Sequence, residues 1–387
     1  MNSVAVRIAG LDVARGIAVL GILAMNIGAF AMPTYAYLGP LAYSAPGADP
    51  AAERTAWLLS YLLFDGKMRA LFALLFGASL LLLAERIEAA GGDPARWHAA
   101  RMALLALFGL AHFYLLWVGD ILFGYAVAGA LLFGFRGLTA PALAALSIAA
   151  LLVGMALEWP FFGIDLTGPL ARFIAESNAA EVAAYRSGYA GGLGYRLGPV
   201  VDWPLANLLP GLFEVAAAML AGMALYRAGA LGGGWSRRRL AGVGAAALVA
   251  GAGWQAALAA QVVRADYGLA ATLFATAGPV WPARLAMAAG LLLLIAGWTQ
   301  GGGEGMARRW LGVAGRTAFS LYIASSLLLT FCFYRPDAFG SVGRPAQAGV
   351  AFAAAALLLI VAQLWARTGR RGPLETAWRR ATKAIAT

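Results

Sequence analysis

A single cysteine, Cys332 inside an apolar run, is all the thiol chemistry in 387 residues, which rules out an intramolecular disulfide and any cysteine-rich metal site. Charge is almost as scarce. Asp, Glu, Lys and Arg make up 12% of the chain against 62% hydrophobic residues, and the mean hydropathy is +0.75, a combination foreign to soluble globular domains. No phosphate loop, His-Glu-x-x-His pair, Gly-x-Ser-x-Gly elbow or Cys-x-x-Cys occurs, which argues against a metalloenzyme or a serine hydrolase, and no metal is expected. No fixed period repeats, and the two halves share no pattern announcing an inverted-repeat transporter.

Long apolar runs dominate instead, so the expected fold is all-α and polytopic. Ten windows fit the roughly 17 to 25 residues that cross about 30 Å of hydrocarbon. They cover residues 12–31, 57–84, 101–117, 120–135, 138–157, 205–226, 240–262, 282–299, 310–333 and 346–366. Arg7 followed by an apolar run has the layout of a signal peptide, and with Met1 present we expect a retained first span. The third and fourth windows form a hairpin around Val118-Gly119-Asp120. The whole chain, 1–387, is expected to be one membrane domain. It comprises an amino-terminal five-helix part (1–157), an outer loop (158–204) and a carboxy-terminal five-helix part (205–387) ending in a cytoplasmic tail.

The net charge of +11 does not point to nucleic acid, because the basic residues sit in short loops between apolar runs. Arg86, Arg96, Arg101, Arg136, Arg227, Arg237 to Arg239, Arg308, Arg309 and the tail from Arg367 to Lys383 all fall on one side. That side is cytoplasmic by the positive-inside rule, and both termini belong there. The expected setting is thus a bacterial cytoplasmic membrane, with the lipid bilayer as first partner; oligomeric state is left open. The segment 158–204 is long enough to act as a lid, and residues 32–56 form a smaller, proline-rich outer loop.

Ionisable groups inside spans are expensive and mark working sites. In the first span Asp12 and Arg15 share a face, and Asn26, eleven positions beyond Arg15, returns to within about 20° of it. Asp12 and Arg15 fit a cytoplasmic pocket, whereas Asn26 fits an interhelical hydrogen bond. In the second span, Phe64-Asp65-Gly66-Lys67-Met68-Arg69 lies roughly 12 Å deep at 1.5 Å per residue. Asp65 and Arg69, spaced i, i+4, are expected to pair, leaving Lys67 to find a partner on another helix or to snorkel outward. His112 and Asp120 meet across the hairpin, with Tyr125 one turn further, so that a carboxylate can orient an imidazole for proton transfer. Glu214, inside the sixth window, is a further carboxyl for holding a proton or a cation, or for a neutral hydrogen bond.

Several runs together resemble the YeiB family of bacterial inner-membrane proteins. They are Leu11-Asp12-x-x-Arg15-Gly16 with Asn26-Ile27, Phe72-x-Leu74-Leu75-Phe76-Gly77, Gly109-Leu110-x-His112 and Gly119-Asp120-Ile121-Leu122. The later half agrees through Leu220-x-Gly222-Met223, Gly315-Arg316-Thr317-Ala318 and Gly372-Pro373-Leu374-Glu375-x-x-Trp378-Arg379, which resemble that family's carboxy-terminal domain of unknown function. The pattern departs at Ser320, where Asn is common, and at Ser325-Ser326, where Gln-Ser is usual. Such proteins are distantly similar to the transmembrane acyltransferase superfamily that includes heparan-α-glucosaminide N-acetyltransferase. The resemblance implies an enzyme passing an acyl group from a cytoplasmic thioester, such as acyl-coenzyme A, to an extracytoplasmic or lipid-linked sugar hydroxyl or amine. In that scheme His112 is the general base, Asp120 orients it, Lys67 beside Asp65 stabilises the oxyanion, and Arg15 with Arg316 and Asp12 holds the donor. Asn26, Arg69, Glu214 and Tyr125 shape the polar interior. The histidine of the heparan-type enzymes lies in the first outer loop, where this chain has none, so His112 would be a different solution. Two other readings stand beside it: a transporter or channel with a proton or ion path along Asp65, Lys67, His112 and Glu214, and a non-catalytic scaffold or sensor.

Overall fold

The computed structural model describes residues 9–158, 168–301 and 305–386. Among them every regular element is an α-helix or a short 3-10 turn, and no strand occurs. In order they are α1 (Ala9–Ala31), α2 (Pro50–Leu63), α3 (Lys67–Ala89), α4 (Pro94–Leu115), α5 (Leu122–Leu132), α6 (Ala140–Glu158), α7 (Pro169–Arg186), α8 (Tyr189–Leu197) and α9 (Trp203–Ala206). There follow α10 (Leu208–Arg227), α11 (Arg237–Arg264), α12 (Leu269–Thr276), α13 (Trp281–Gln300), α14 (Met306–Arg316), α15 (Ala318–Phe333), α16 (Arg344–Ala366) and α17 (Pro373–Ala386).

Among the described residues, seven helices are long and apolar enough to cross a membrane, or eight if the bent pair α14–α15 counts as one span, against the ten windows expected. This is a multi-pass helical membrane protein. Its apolar residues are divided between an interior and a lipid face. In the most apolar window of α1, 67% of residues are buried, against 22% in α6 and in α16, so α1 is a central post and those two are peripheral. Leu107, Val249, Phe331 and Phe352 point outward, where hydrocarbon and not water is the solvent that tolerates them. Leu71, Leu74 and Leu75 of α3 fill the centre with Tyr125 and Met219. Helix α1 packs along α14, α3 along α10, α10 along α6, and α11 along α13.

Three windows depart from simple spans. The second is interrupted at residues 64–66, where Gly66 adopts φ +65°. No side chain fits there, because a Cβ would fall 2.0 Å from Arg284 Nε. The fourth, Leu122–Phe135, is a short apolar helix. The ninth turns through 80° between Arg316 and Ala318. At 1.5 Å per residue the sixteen residues of α15 rise only about 24 Å, and α14 is left to run beside α1.

The outer segment is helical where described. Arg196 of α8 is wholly buried and donates to the carbonyls of Tyr114 (2.8 Å) and Leu115 (3.2 Å), satisfying orphan carbonyls at the carboxyl end of α4. Glu181 of α7 accepts from Thr34 N (2.8 Å) and Thr34 Oγ1 (3.0 Å). Burial outweighs these two bonds and pushes its carboxyl up to about 7. The segment is therefore a docked cap. Residues 159–167 of the expected loop lie outside the described residues.

Candidate functional site

Two cavities meet end to end in the bundle. The larger, about 780 Å³, is walled by α1, α3, α4, α14, α15 and the carboxy-terminal segment. Seven arginines line it (Arg15, Arg86, Arg101, Arg316, Arg370, Arg371 and Arg379) against two carboxylates, Asp12 and Glu375. These charges are ordered by local contacts. Arg15 reaches Asp12 at 3.3 Å and also donates to Ser79 Oγ. The Arg101 guanidinium stacks 4.1 Å over Trp378, a geometry suited to Arg and its planar cation. Glu375 accepts from the Ser320 amide at 3.0 Å and from its hydroxyl, which seats α17 at the start of α15. Basic residues scattered along the sequence thus share one cavity because the 80° bend brings Arg316 to it and α17 folds back onto α4.

The smaller cavity, about 300 Å³, is lined by Arg69, Asp120, Tyr125, Glu214, Trp203 and Asn207 among others. Ile121 and Tyr125 belong to the walls of both cavities, so this short stretch is the partition between them. Tyr125 is held there by donating from its hydroxyl to Arg69 O at 2.7 Å.

At the partition lies a buried hydrogen-bonded chain. His112 Nδ1 is 2.9 Å from Asp120 Oδ1, and His112 Nε2 is 2.8 Å from Ser326 Oγ. The imidazole and carboxylate are 1% and 3% exposed. Asp120 Oδ2 also accepts from Phe123 N at 2.8 Å, so one carboxylate both starts α5 and fixes the histidine. The hairpin can close this tightly only because Gly109 lacks a side chain: a Cβ there would sit 2.3 Å from Phe123 N and 2.9 Å from Asp120 Oδ2. The ring of Tyr322, which lines the larger cavity, lies 5.0 Å from that of His112.

A second charged chain runs through the bundle. Arg284 binds Asp65 and reaches Glu214 Oε1 at 3.3 Å, while Arg69 binds the other Glu214 oxygen at 2.7 Å. The expected Asp65–Arg69 pair is therefore replaced. The break at residues 64–66 takes Asp65 off the helix ladder on which i, i+4 spacing rests, and Arg284 of α13 reaches it instead. Lys67 also departs from expectation. It does not snorkel, and its partner lies on the other half of its own broken window: its Nζ donates to the Tyr61 carbonyl of α2 (3.1 Å) and approaches that of Asp65 (3.4 Å), carbonyls near the end of that helix. Glu214 is held by two guanidinium groups, those of Arg69 and Arg284.

Asp12, Arg15 and Arg316 thus share the larger cavity, Asp120, Arg69, Glu214 and Tyr125 share the smaller, and His112 lies between. Lys67 lines none of the three cavities described, and Asp65 borders the third, a mainly apolar groove beside α1, α2 and α16. Asn26 is buried on α1 and lines none of them. Arg284 escaped the sequence analysis, although it stands as an uncommitted charge inside an apolar window; Ser326 and Glu375 enter there only as parts of motifs, and Arg370 and Arg371 only as topology-setting charge, with no site role given to them.

The fold and this pair of cavities define a multi-pass helical membrane protein with a polar interior. Residues 225–384 match the family described as Protein of unknown function (DUF418). The chain is 29% identical over 394 residues to the uncharacterized protein YeiB of Escherichia coli (strain K12), covering 96% of this chain and 95% of that one. It is 37% identical over 132 residues to the uncharacterized protein YxaH of Bacillus subtilis (strain 168), covering 34% and 33% respectively. The similarity to YeiB thus runs along nearly the whole chain, and the match to the DUF418 model lies in its carboxy-terminal part.

Proposed function

We propose that this protein is a membrane acyltransferase. It takes an acyl group from an anionic thioester donor, of the acyl-coenzyme A type, on the cytoplasmic side and delivers it to a hydroxyl or amine of an extracytoplasmic or lipid-linked acceptor. One observation carries the reading: an arginine-rich cavity ends at the wall behind which a carboxylate-oriented histidine sits. Guanidinium groups recognise phosphate oxygens through paired N–H donors. Arg101 and His112 stand on one helix, eleven residues apart, or about 16 Å along its axis. A donor with an extended arm between its phosphates and its thioester spans that distance.

His112 acts as general base toward the acceptor and Asp120 holds the ring in the tautomer that presents Nε2 for proton transfer. The smaller cavity beside Asp120 receives the acceptor. Lys67 and Asp65, tied into the break between α2 and α3, take structural parts in this scheme. The positive-inside pattern supports an arginine cavity on the cytoplasmic side of the membrane, together with both termini. A conduction path finds less support, because the two cavities abut at Ile121 and Tyr125 without merging.

The test uses purified protein in detergent or nanodiscs with acetyl-coenzyme A. Release of free thiol, stimulated by a soluble amine or sugar acceptor and lost in His112→Ala, is the expected result. Solute flux in liposomes without thioester turnover would overturn the reading.

A further inference from the structure

The Nε2 atom of His112 does not face an empty space where an acceptor could dock; it faces Ser326 Oγ at 2.8 Å. Asp120, His112 and Ser326 come from α5's leading residues, α4 and α15, separated by 8 and 214 positions in sequence. They form a carboxylate–imidazole–hydroxyl series in the order that activates a serine, a constellation recognised by geometry and roles and not by sequence motif. Ser326 Oγ also lies 3.2 Å from Tyr322 O, one turn earlier on α15, and Tyr322 is on the wall of the arginine-lined cavity. At the other end, Asp120 is on the wall of the smaller cavity. His112 and Ser326 line neither cavity; they lie buried between Asp120 on the wall of the smaller one and Tyr322 on the wall of the larger.

We propose that Ser326 is a nucleophile that carries the acyl group between the two cavities as an acyl-enzyme. This rests on the acyltransferase reading above. Ser326 Oγ attacks the thioester carbonyl as its proton passes to His112 Nε2; the C–S bond breaks, the proton moves from His112 to the leaving thiolate, and an ester to Ser326 remains. In the second half, His112 takes the proton of the acceptor hydroxyl or amine, whose oxygen or nitrogen attacks the ester carbonyl. The C–O bond to Ser326 breaks, and the serine recovers its proton from His112. No oxidant, reductant or metal enters either half.

The experiment incubates the full-length protein with acetyl-coenzyme A labelled in the acetyl group, quenches in acid without acceptor, and maps the label by peptide mass spectrometry. We expect about one label per chain, on the peptide holding Ser326, released by alkali as an ester is and discharged when acceptor is added before quenching. Ser326→Ala removes the label while binding of acetyl-coenzyme A stays within about twofold of wild type. Ser326→Cys restores a label that is now cleaved by neutral hydroxylamine, as a thioester is, which a hydroxyl serving only to join helices would not do. Acyl transfer at undiminished rate in Ser326→Ala, or a label persisting on the chain in that variant, overturns the covalent step and leaves direct attack by the acceptor. Absence of donor binding and turnover in the wild-type protein overturns the acyltransferase reading and the relay with it.

Discussion

The two buried polar chains both include carboxylates and differ in what those carboxylates meet. The chain through Arg284 is built of paired full charges: Asp65 and Glu214 are held by Arg284 and Arg69, Arg284 donates further to Thr276 O at 3.0 Å, and Arg69 and Glu214 reach the smaller cavity. The chain through His112 has one carboxylate, which meets the smaller cavity at Asp120, and ends at Ser326, whose Oγ lies 3.2 Å from the carbonyl of Tyr322 on the wall of the larger one. Guanidinium–carboxylate pairs tie helices together and do not readily give up a proton. A carboxylate, an imidazole and a hydroxyl in series can pass one, which is why the proposed chemistry rests on the second chain.

The sharpest way to break this contrast is at the two central residues. His112→Ala should lower acyl transfer by roughly 10² to 10⁴, the usual scale for a general acid–base group, with thermal unfolding in detergent close to wild type. A comparable activity in the variant would place His112 with the structural chain. Arg284→Ala should do the reverse. It leaves Asp65 without its guanidinium in a low-dielectric interior, and a loss of about 3 to 5 kcal/mol is expected for a buried pair with one partner removed, read as a large drop in melting temperature in detergent. A variant that melts normally yet fails to turn over donor would give Arg284 a functional part.

The arginine cavity sharpens the comparison further. Arg15→Gln and Arg316→Gln should each weaken acetyl-coenzyme A binding by roughly 10- to 100-fold, since a hydrogen bond to a charged group contributes about 1.5 to 3 kcal/mol. Both effects should shrink at high salt. Titration calorimetry at two ionic strengths measures this, and salt-independent binding would remove phosphate recognition from the cavity.

The smallest effect concerns the cap, outside the spanning helices. Glu181 titrates at about 7 in the folded protein against 4.5 for the free side chain. A raised acid favours folding when protonated, so its contribution is full below about 4.5, declines as pH rises to about 7, and is constant above. Protection of the α7 amides, taken from the exchange rate relative to the intrinsic base-catalysed rate at each pH, should therefore fall across that window, and Glu181→Gln should flatten the change. Protection that stays constant with pH in the wild type would show that Thr34 holds the carboxylate without cost.

Much of this was readable from the chain before any coordinates. The class follows from apolar windows of spanning length, and the His112–Asp120 pair follows from a Gly-Asp turn between two short helices. What failed depended on contacts between distant elements. Arg284 looked like one more charge in an apolar run because its two carboxylates lie 70 and 219 positions away. Ser326 is visible only as the second half of the Ser325-Ser326 motif, one hydroxyl among several on α15, and nothing in the sequence pairs it with His112, 214 positions away. Periodicity also implied that residues 57–84 were continuous, and only the Asp65-Gly66 step, a familiar turn dipeptide, hinted at the break that redirects Asp65 and Lys67.

The stretch from Ile121 to Tyr125, which borders both cavities, has a consequence for the proposed reaction. Under that scheme only a small acyl fragment changes sides there, and no path for water or ions has to open. Trimming Tyr125 to alanine is then where an ion leak should first appear, read as loss of a pH gradient in liposomes.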